Sequence, residues 1–243
     1  MKILVRLAFF FAAAALWAVP AQAETCLLKM TAVKGKLSYS YSKKIEAGKQ
    51  NSFAGKVKPR KGPARGMVFH SLLSRDGKGL FSLDYQFELS GAVKGTPPLQ
   101  LQSRVSLPRG RKILAATAGG WKYYLELAGK GARPADTGDY QLAASFGCGS
   151  VNVPVKIVVA PGSQANAIIM DEGAKPVRKF VMTVLPGKPD PDGGFTLQYQ
   201  AELKDDGELL GTAQGQVKLS AGGPQKTIAA GKNCRLSVKA LKF

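Results

Sequence analysis

Phe81, Leu83, Tyr85, Phe87 and Leu89 alternate with Ser82, Asp84, Gln86 and Glu88. An apolar residue at every second position sets one face of an extended strand on a core and the other in water. The same period runs through Leu99, Leu101, Val105 and Leu107, and again through Trp121, Tyr123, Leu125 and Leu127. Turn residues separate these segments: Asp76-Gly77, Gly95-Thr96-Pro97-Pro98, Pro108-Arg109-Gly110 and Ala118-Gly119-Gly120. Outside the N-terminal apolar segment, no window longer than a turn or two keeps helical spacing. The pattern predicts an all-β chain whose short strands form sandwiches of immunoglobulin or fibronectin-III type.

The pattern also repeats. Segment 79–89 (GLFSLDYQFEL) recurs at 193–203 (GGFTLQYQAEL), an offset of 114 residues without a gap. At that offset Leu37, Tyr39 and Tyr41 stand against Val151, Val153 and Val155, and Leu114-Ala115-Ala116 against Ile228-Ala229-Ala230. Val105-Ser106-Leu107 matches Val217-Lys218-Leu219 after a slip of two, which falls to the Gly/Pro-containing stretch 91–98, where loops accept insertions. Two tandem β-sandwich units, 24–136 and 137–243, are therefore expected, joined by a linker over 129–137. A competing feature is Asp136-Thr137-Gly138-Asp139-Tyr140, which resembles the tyrosine corner of Ig-like strands and would move the boundary to about 160.

Residues 1–23 read as a secretory signal. Lys2 and Arg6 form a positive start, Leu7 to Val19 an apolar run, and Ala21-Gln22-Ala23 a small-residue site for cleavage after Ala23. The run falls short of the roughly 20 residues a membrane span needs, and no later segment is apolar enough. The expected location is the periplasm or beyond, where disulfides persist. Cys26, Cys148 and Cys234 allow one bridge in three ways. Cys148 with Cys234 is favoured because both lie in the second half, leaving Cys26 as a small buried apolar residue.

Composition limits the chemistry. The 243 residues hold one His, and 35 Lys+Arg against 16 Asp+Glu give +19. Without 1–23 the balance is 33 against 16, or +17. His70 reads as a polar residue on a strand's solvent face, as does its counterpart near Thr183. Ser40-Tyr41-Ser42-Lys43 fits S-x-x-K, but the partner motifs of penicillin-recognising enzymes are missing. Gly222-Gly223-Pro224-Gln225-Lys226-Thr227 lacks phosphate-loop spacing and reads as a hairpin turn. Asp190 with Asp192, Asp205 with Asp206, and Glu88 with Glu202 are the acidic pairs a glycosidase or a Ca²⁺ site would use, yet turns and polar strand faces account for them. No catalytic residue, metal site or cofactor is predicted.

The two units differ in charge. Window 24–75 carries twelve basic and two acidic residues, +10, whereas the equivalent 138–189 carries five and three, +2. The densest run, 56–65, holds Lys56, Lys58, Arg60, Lys61 and Arg65. Charge present in one copy alone is not demanded by a shared fold, so these five residues form the candidate ligand-binding loop, facing a polyanion. The expected function is a non-enzymatic binding or assembly factor of the bacterial cell envelope. Its expected partner is lipopolysaccharide, an acidic polysaccharide or an acidic protein, with DNA less favoured. The alternatives are a periplasmic chaperone for pilus-type surface fibres, by fold analogy alone, and a polysaccharide-acting enzyme.

Overall fold

Strict two-residue alternation leaves no stripe that a helix could bury, and the structure, a computed structural model, is built from strands. It describes residues 24–59, 62–75, 80–90, 99–129, 138–171 and 178–241; the expected signal segment 1–23 and most of the expected linker lie outside these. The first half supplies β1 (Thr25–Lys34), β2 (Leu37–Glu46), β3 (Gln50–Val57), β4 (Arg65–Arg75), β5 (Phe81–Leu89), β6 (Leu99–Leu107), β7 (Lys112–Ala118) and β8 (Trp121–Ala128). The second half supplies β9 (Tyr140–Cys148), β10 (Val151–Val159), β11 (Ala165–Asp171), β12 (Arg178–Pro186), β13 (Gly194–Asp205), β14 (Glu208–Ser220), β15 (Lys226–Ala229) and β16 (Cys234–Leu241).

These strands form two antiparallel eight-stranded sheets stacked as a β-sandwich. The first has the order β15-β16-β9-β10-β7-β8-β1-β2, the second β14-β13-β12-β11-β6-β5-β4-β3. Both sheets run unbroken through the two halves of the chain. At the middle, β10 pairs with β7 over Val155–Ile157 and β11 with β6 over Asn166–Ile168. Polar groups buried there are satisfied across the junction. The Ser103 hydroxyl donates to the Val158 carbonyl at 2.7 Å, and the Asp139 carboxylate accepts from the Ser106 N–H (2.6 Å) and hydroxyl (2.9 Å).

One register occurs twice in the second sheet. Val105 lies opposite Leu83 and Leu107 opposite Phe81, while Val217 lies opposite Leu197 and Leu219 opposite Phe195. The inward faces interlock through aromatic pairs that cross between the sheets. Tyr41 stacks on Phe53 (centroids 4.1 Å) and Tyr140 on Phe195 (3.8 Å), with tilted pairs Phe87–Tyr123 (5.2 Å) and Phe146–Phe180 (5.7 Å) between them. Such pairs add about 0.5–1.5 kcal/mol each beyond burial alone.

Cys148 on β9 and Cys234 on β16 are direct cross-strand partners, Cα atoms 4.1 Å apart, and are joined by the disulfide. Gly211 of β14 lies against it: a Cβ there would fall 2.9 Å from the Cys234 Sγ and 2.8 Å from the Ala230 carbonyl oxygen, so only glycine fits. Cys26 keeps a free, buried thiol. The disulfide fits an oxidising compartment, and among the described residues no helix is long and apolar enough to cross a membrane.

Two local expectations change. Segment 221–225 is no hairpin turn, because β14 and β15 belong to different sheets and the segment arches between them. The tyrosine-corner resemblance does not extend to its hydrogen bond: the buried Tyr140 hydroxyl has no partner, and the ring packs on Phe195 instead.

Candidate binding surfaces

The five basic residues of 56–65 do not share one setting. Lys56 ends the outward face of β3 and Lys58 follows it, both exposed; Arg60 and Lys61 lie outside the described residues. Arg65 opens β4 and is only 8% exposed. Its guanidinium sits 5.4 Å from the Trp121 ring and 6.0 Å from the Tyr39 ring, and donates to the Ser90 carbonyl at 3.1 Å. Tyr39 donates its hydroxyl to the Pro63 carbonyl at 2.9 Å, which ties the basic segment to the core. Tyr39 and Tyr41 face inward, as their alternation implies.

The outer face of the first sheet carries a cationic row. Cross-strand register aligns Lys122 (β8), Thr117 (β7), Lys156 (β10), Ala143 (β9) and Lys239 (β16). The three lysines stand two strands apart, about 10 Å from one to the next at ordinary strand spacing. None of them pairs with a carboxylate among the described residues. Beside the row lies an open hollow of about 480 Å³ lined by Ser145, Gly147, Asn152, Asn233, Arg235 and Ser237. Periodicity along a strand reveals each lysine's face; the alignment of the three depends on register between distant strands, which local sequence does not encode.

The outer face of the second sheet is different in kind. Its central row runs through every strand: Ser52, His70, Gln86 and Gln102 from the first half, then Asn166, Thr183, Gln200 and Gln214 from the second. His70 Nδ1 lies 2.9 Å from the Ser52 hydroxyl. On the neighbouring rows, charges are matched in place: Arg104 grips Asp84 with two hydrogen bonds (2.6 and 2.8 Å), Glu88 accepts from Gln100, and Lys204 pairs with Glu202.

The acidic pairs and short motifs separate likewise. Glu88 and Glu202 share a row but stand four strand spacings apart, about 19 Å, well beyond the roughly 5–9.5 Å of glycosidase carboxyls. Asp190 and Asp192 are bridged by Lys218, 3.2 Å from each. The Asp192 carboxyl is held below its ordinary range, first by the Gly194 N–H and then by Lys218. Ser40 and Lys43 point to opposite faces of β2, and the Lys43 ammonium donates to the Ser52 carbonyl.

Comparison with protein-family models, with curated proteins and with solved structures finds no match.

Proposed function

We propose that this protein is an exported, non-enzymatic binding or assembly factor of the bacterial cell envelope that holds an anionic polymer on its cationic surface. In this reading its two halves are tandem immunoglobulin-like units related by the 114-residue repeat. The periplasm supplies both the disulfide and the ligand, lipopolysaccharide or an acidic polysaccharide. The observation that carries the reading is the row Lys122–Lys156–Lys239, without a carboxylate partner among the described residues, on a chain whose charge is +17 without residues 1–23. Fixed cations at regular spacing suit a polymer with regularly placed anions, and each contact displaces a counterion. Lys56 and Lys58 extend the positive field at the β3 end, and Arg60 and Lys61 follow them in the sequence; an acidic protein is the second partner class this charge favours.

The chaperone alternative requires an unpaired edge between the units onto which a client strand could add. At the junction β7–β10 and β6–β11 pair instead, so that reading has less support. An enzyme using Glu88 and Glu202 together has less still, given their separation.

The test is binding to lipopolysaccharide, to polygalacturonate and to DNA across a salt series. Two variants run beside the parent: Lys122→Gln/Lys156→Gln/Lys239→Gln, and Lys56→Gln/Lys58→Gln/Arg60→Gln/Lys61→Gln. Binding to one polymer that persists near 0.15 M salt and weakens at least tenfold in the first variant supports the proposal. Equal, salt-erased binding to all three, unchanged in both variants, refutes it.

A further inference from the structure

We infer that the outer face of the second sheet is a second binding site, for an uncharged linear glycan lying across the strands. The central row of polar residues continues over eight strands, about 34 Å at ordinary strand spacing. No member of it carries a fixed charge, in a chain with 35 basic and 16 acidic residues. Opposite-charge pairs facing one another are one way a solvated sheet face is stabilised, and this row has none. It is filled with amides instead. The row's Gln86, Gln102, Gln200 and Gln214 are flanked by Gln50, Gln100, Gln198 and Gln216, so eight of the chain's twelve glutamines stand on this one face. Among the described residues, the strands of the opposite face carry one glutamine, Gln141.

The amide is the side chain that can both donate and accept without attracting ions. An array of them matches sugar hydroxyls, each of which also donates and accepts. The face is also shaped. Two adjoining hollows of about 340 and 270 Å³ share Gln86, Gln102 and Gln164, and between them span the junction of β6 with β11. Ile168 and Val181 give the second hollow an apolar floor, against which the C–H face of a sugar ring would pack. Neutrality selects the occupant. On the two rows beside it the charged groups are held by neighbours, Asp84 by Arg104, Glu202 by Lys204 and Glu88 by the Gln100 amide, and the exposed Lys56 and Lys179 stand two rows out, so an anionic polymer gains less along this row than on the lysine face. The two faces thus take different ligands, and a molecule with both would bridge an anionic polymer to a neutral one.

The experiment titrates the protein at 0.05 and 0.5 M NaCl with cellohexaose, chitohexaose and maltohexaose, following backbone amide NMR shifts. The expected result is binding of at least one hexasaccharide, equal at both salt concentrations, with shifts concentrated on β5, β6, β11 and β13. Gln86→Ala/Gln102→Ala/Gln200→Ala should weaken it at least tenfold, while Lys122→Gln/Lys156→Gln/Lys239→Gln leaves it unchanged. All substituted side chains point to solvent, and a thermal melt confirms each fold. The inference is overturned if none of the three sugars shifts the spectrum, if the shifts map to the first sheet, or if the lysine variant rather than the glutamine variant loses binding. Because neutral sugars and high salt exclude polyanion contacts, this result is independent of the lipopolysaccharide and polygalacturonate assays.

Discussion

Lys43 on β2 donates its ammonium to the Ser52 carbonyl on β3, 3.0 Å away, and so links the two sheets at the end where both are unpaired. Behind it the Tyr41 and Phe53 rings stack at 4.1 Å and close the same opening. Free edge strands invite pairing with another chain, and lysines on them are a common guard. The position of this end bears on the charge contrast between the halves. Window 24–75 includes β2 and β3, which are open edges, whereas 138–189 includes β10 and β11, which are covered by β7 and β6. Lys43, Lys44 and Lys56 therefore stand where an unpaired edge calls for charge, whatever ligand the surface also takes.

Removing that guard should promote self-association. Lys43→Val/Lys44→Val leaves two adjacent β-formers on the outermost strand and takes away the ammonium that covers the Ser52 carbonyl. Light scattering after size exclusion, at about 100 µM protein, should show larger species for the variant than for the parent. An unchanged mass would mean that the Tyr41–Phe53 closure suffices without the lysines.

Much of the fold was legible from alternation. Phe81 to Leu89 and Trp121 to Leu127 are strands whose apolar positions are buried throughout. The inward Tyr39 follows from the same period, whereas the Cys148–Cys234 bridge is favoured among three pairings only by the two cysteines' place in one half of the chain, and the cross-strand register of β9 and β16 is what joins them. Long-range pairing was not legible. The joins of β7 with β10 and β6 with β11 rest on three register pairs each, between segments whose sequences do not name their neighbours. By its charge Arg65 belongs with the solvent-facing run 56–65. Its burial depends on two rings from β2 and β8, remote in sequence. The glutamine face is not legible in the sequence, because each glutamine is an ordinary solvated strand position until register lays eight strands side by side.

Tyr85 carries a hydroxyl the core does not need. It points inward from β5, is 4% exposed, and its oxygen has no hydrogen-bond partner; burial pushes its ionisation far above the ordinary tyrosine range. An unsatisfied buried hydroxyl costs about 1–3 kcal/mol. Tyr85→Phe keeps the ring and removes the orphan, so urea unfolding should show a gain of about 1 kcal/mol. A loss would mean that the hydroxyl is satisfied in solution, for example by a bound water.

The free thiol gives stability a pH dependence at the alkaline end. Burial raises the Cys26 pKa above its ordinary value of 9.0; Arg109, with its guanidinium 3.1 Å from the sulfur, opposes this, and Glu24 adds to it. The folded state thus holds the neutral thiol to higher pH than the unfolded chain does. The contribution is complete below about pH 9 and is lost as pH rises toward the folded value. Comparison with Cys26→Ala cancels the other titrating groups. The stability difference between parent and variant, from urea curves at pH 7.5 and 10, should shrink at the higher pH. A constant difference would contradict the burial-driven shift.

Arg65 separates fold from binding within the basic segment. It is buried against Trp121 and Tyr39, and it donates to the Ser90 carbonyl just beyond the end of β5. Gln at this position is shorter and loses the cation–ring contacts, each about 0.5–2 kcal/mol when desolvated. It also loses a charge-assisted hydrogen bond worth about 1.5–3 kcal/mol. Arg65→Gln should therefore lower stability by about 2–4 kcal/mol. Lys56→Gln/Lys58→Gln, at exposed positions, should stay within about 0.5 kcal/mol per site of the parent. In the polymer-binding assay the order reverses: the lysine pair lowers affinity, and Arg65→Gln, at a temperature where it remains folded, does not. If Arg65→Gln melts like the parent and loses polymer affinity, the side chain turns outward to meet ligand, and the basic segment is a recognition loop through all five of its cations.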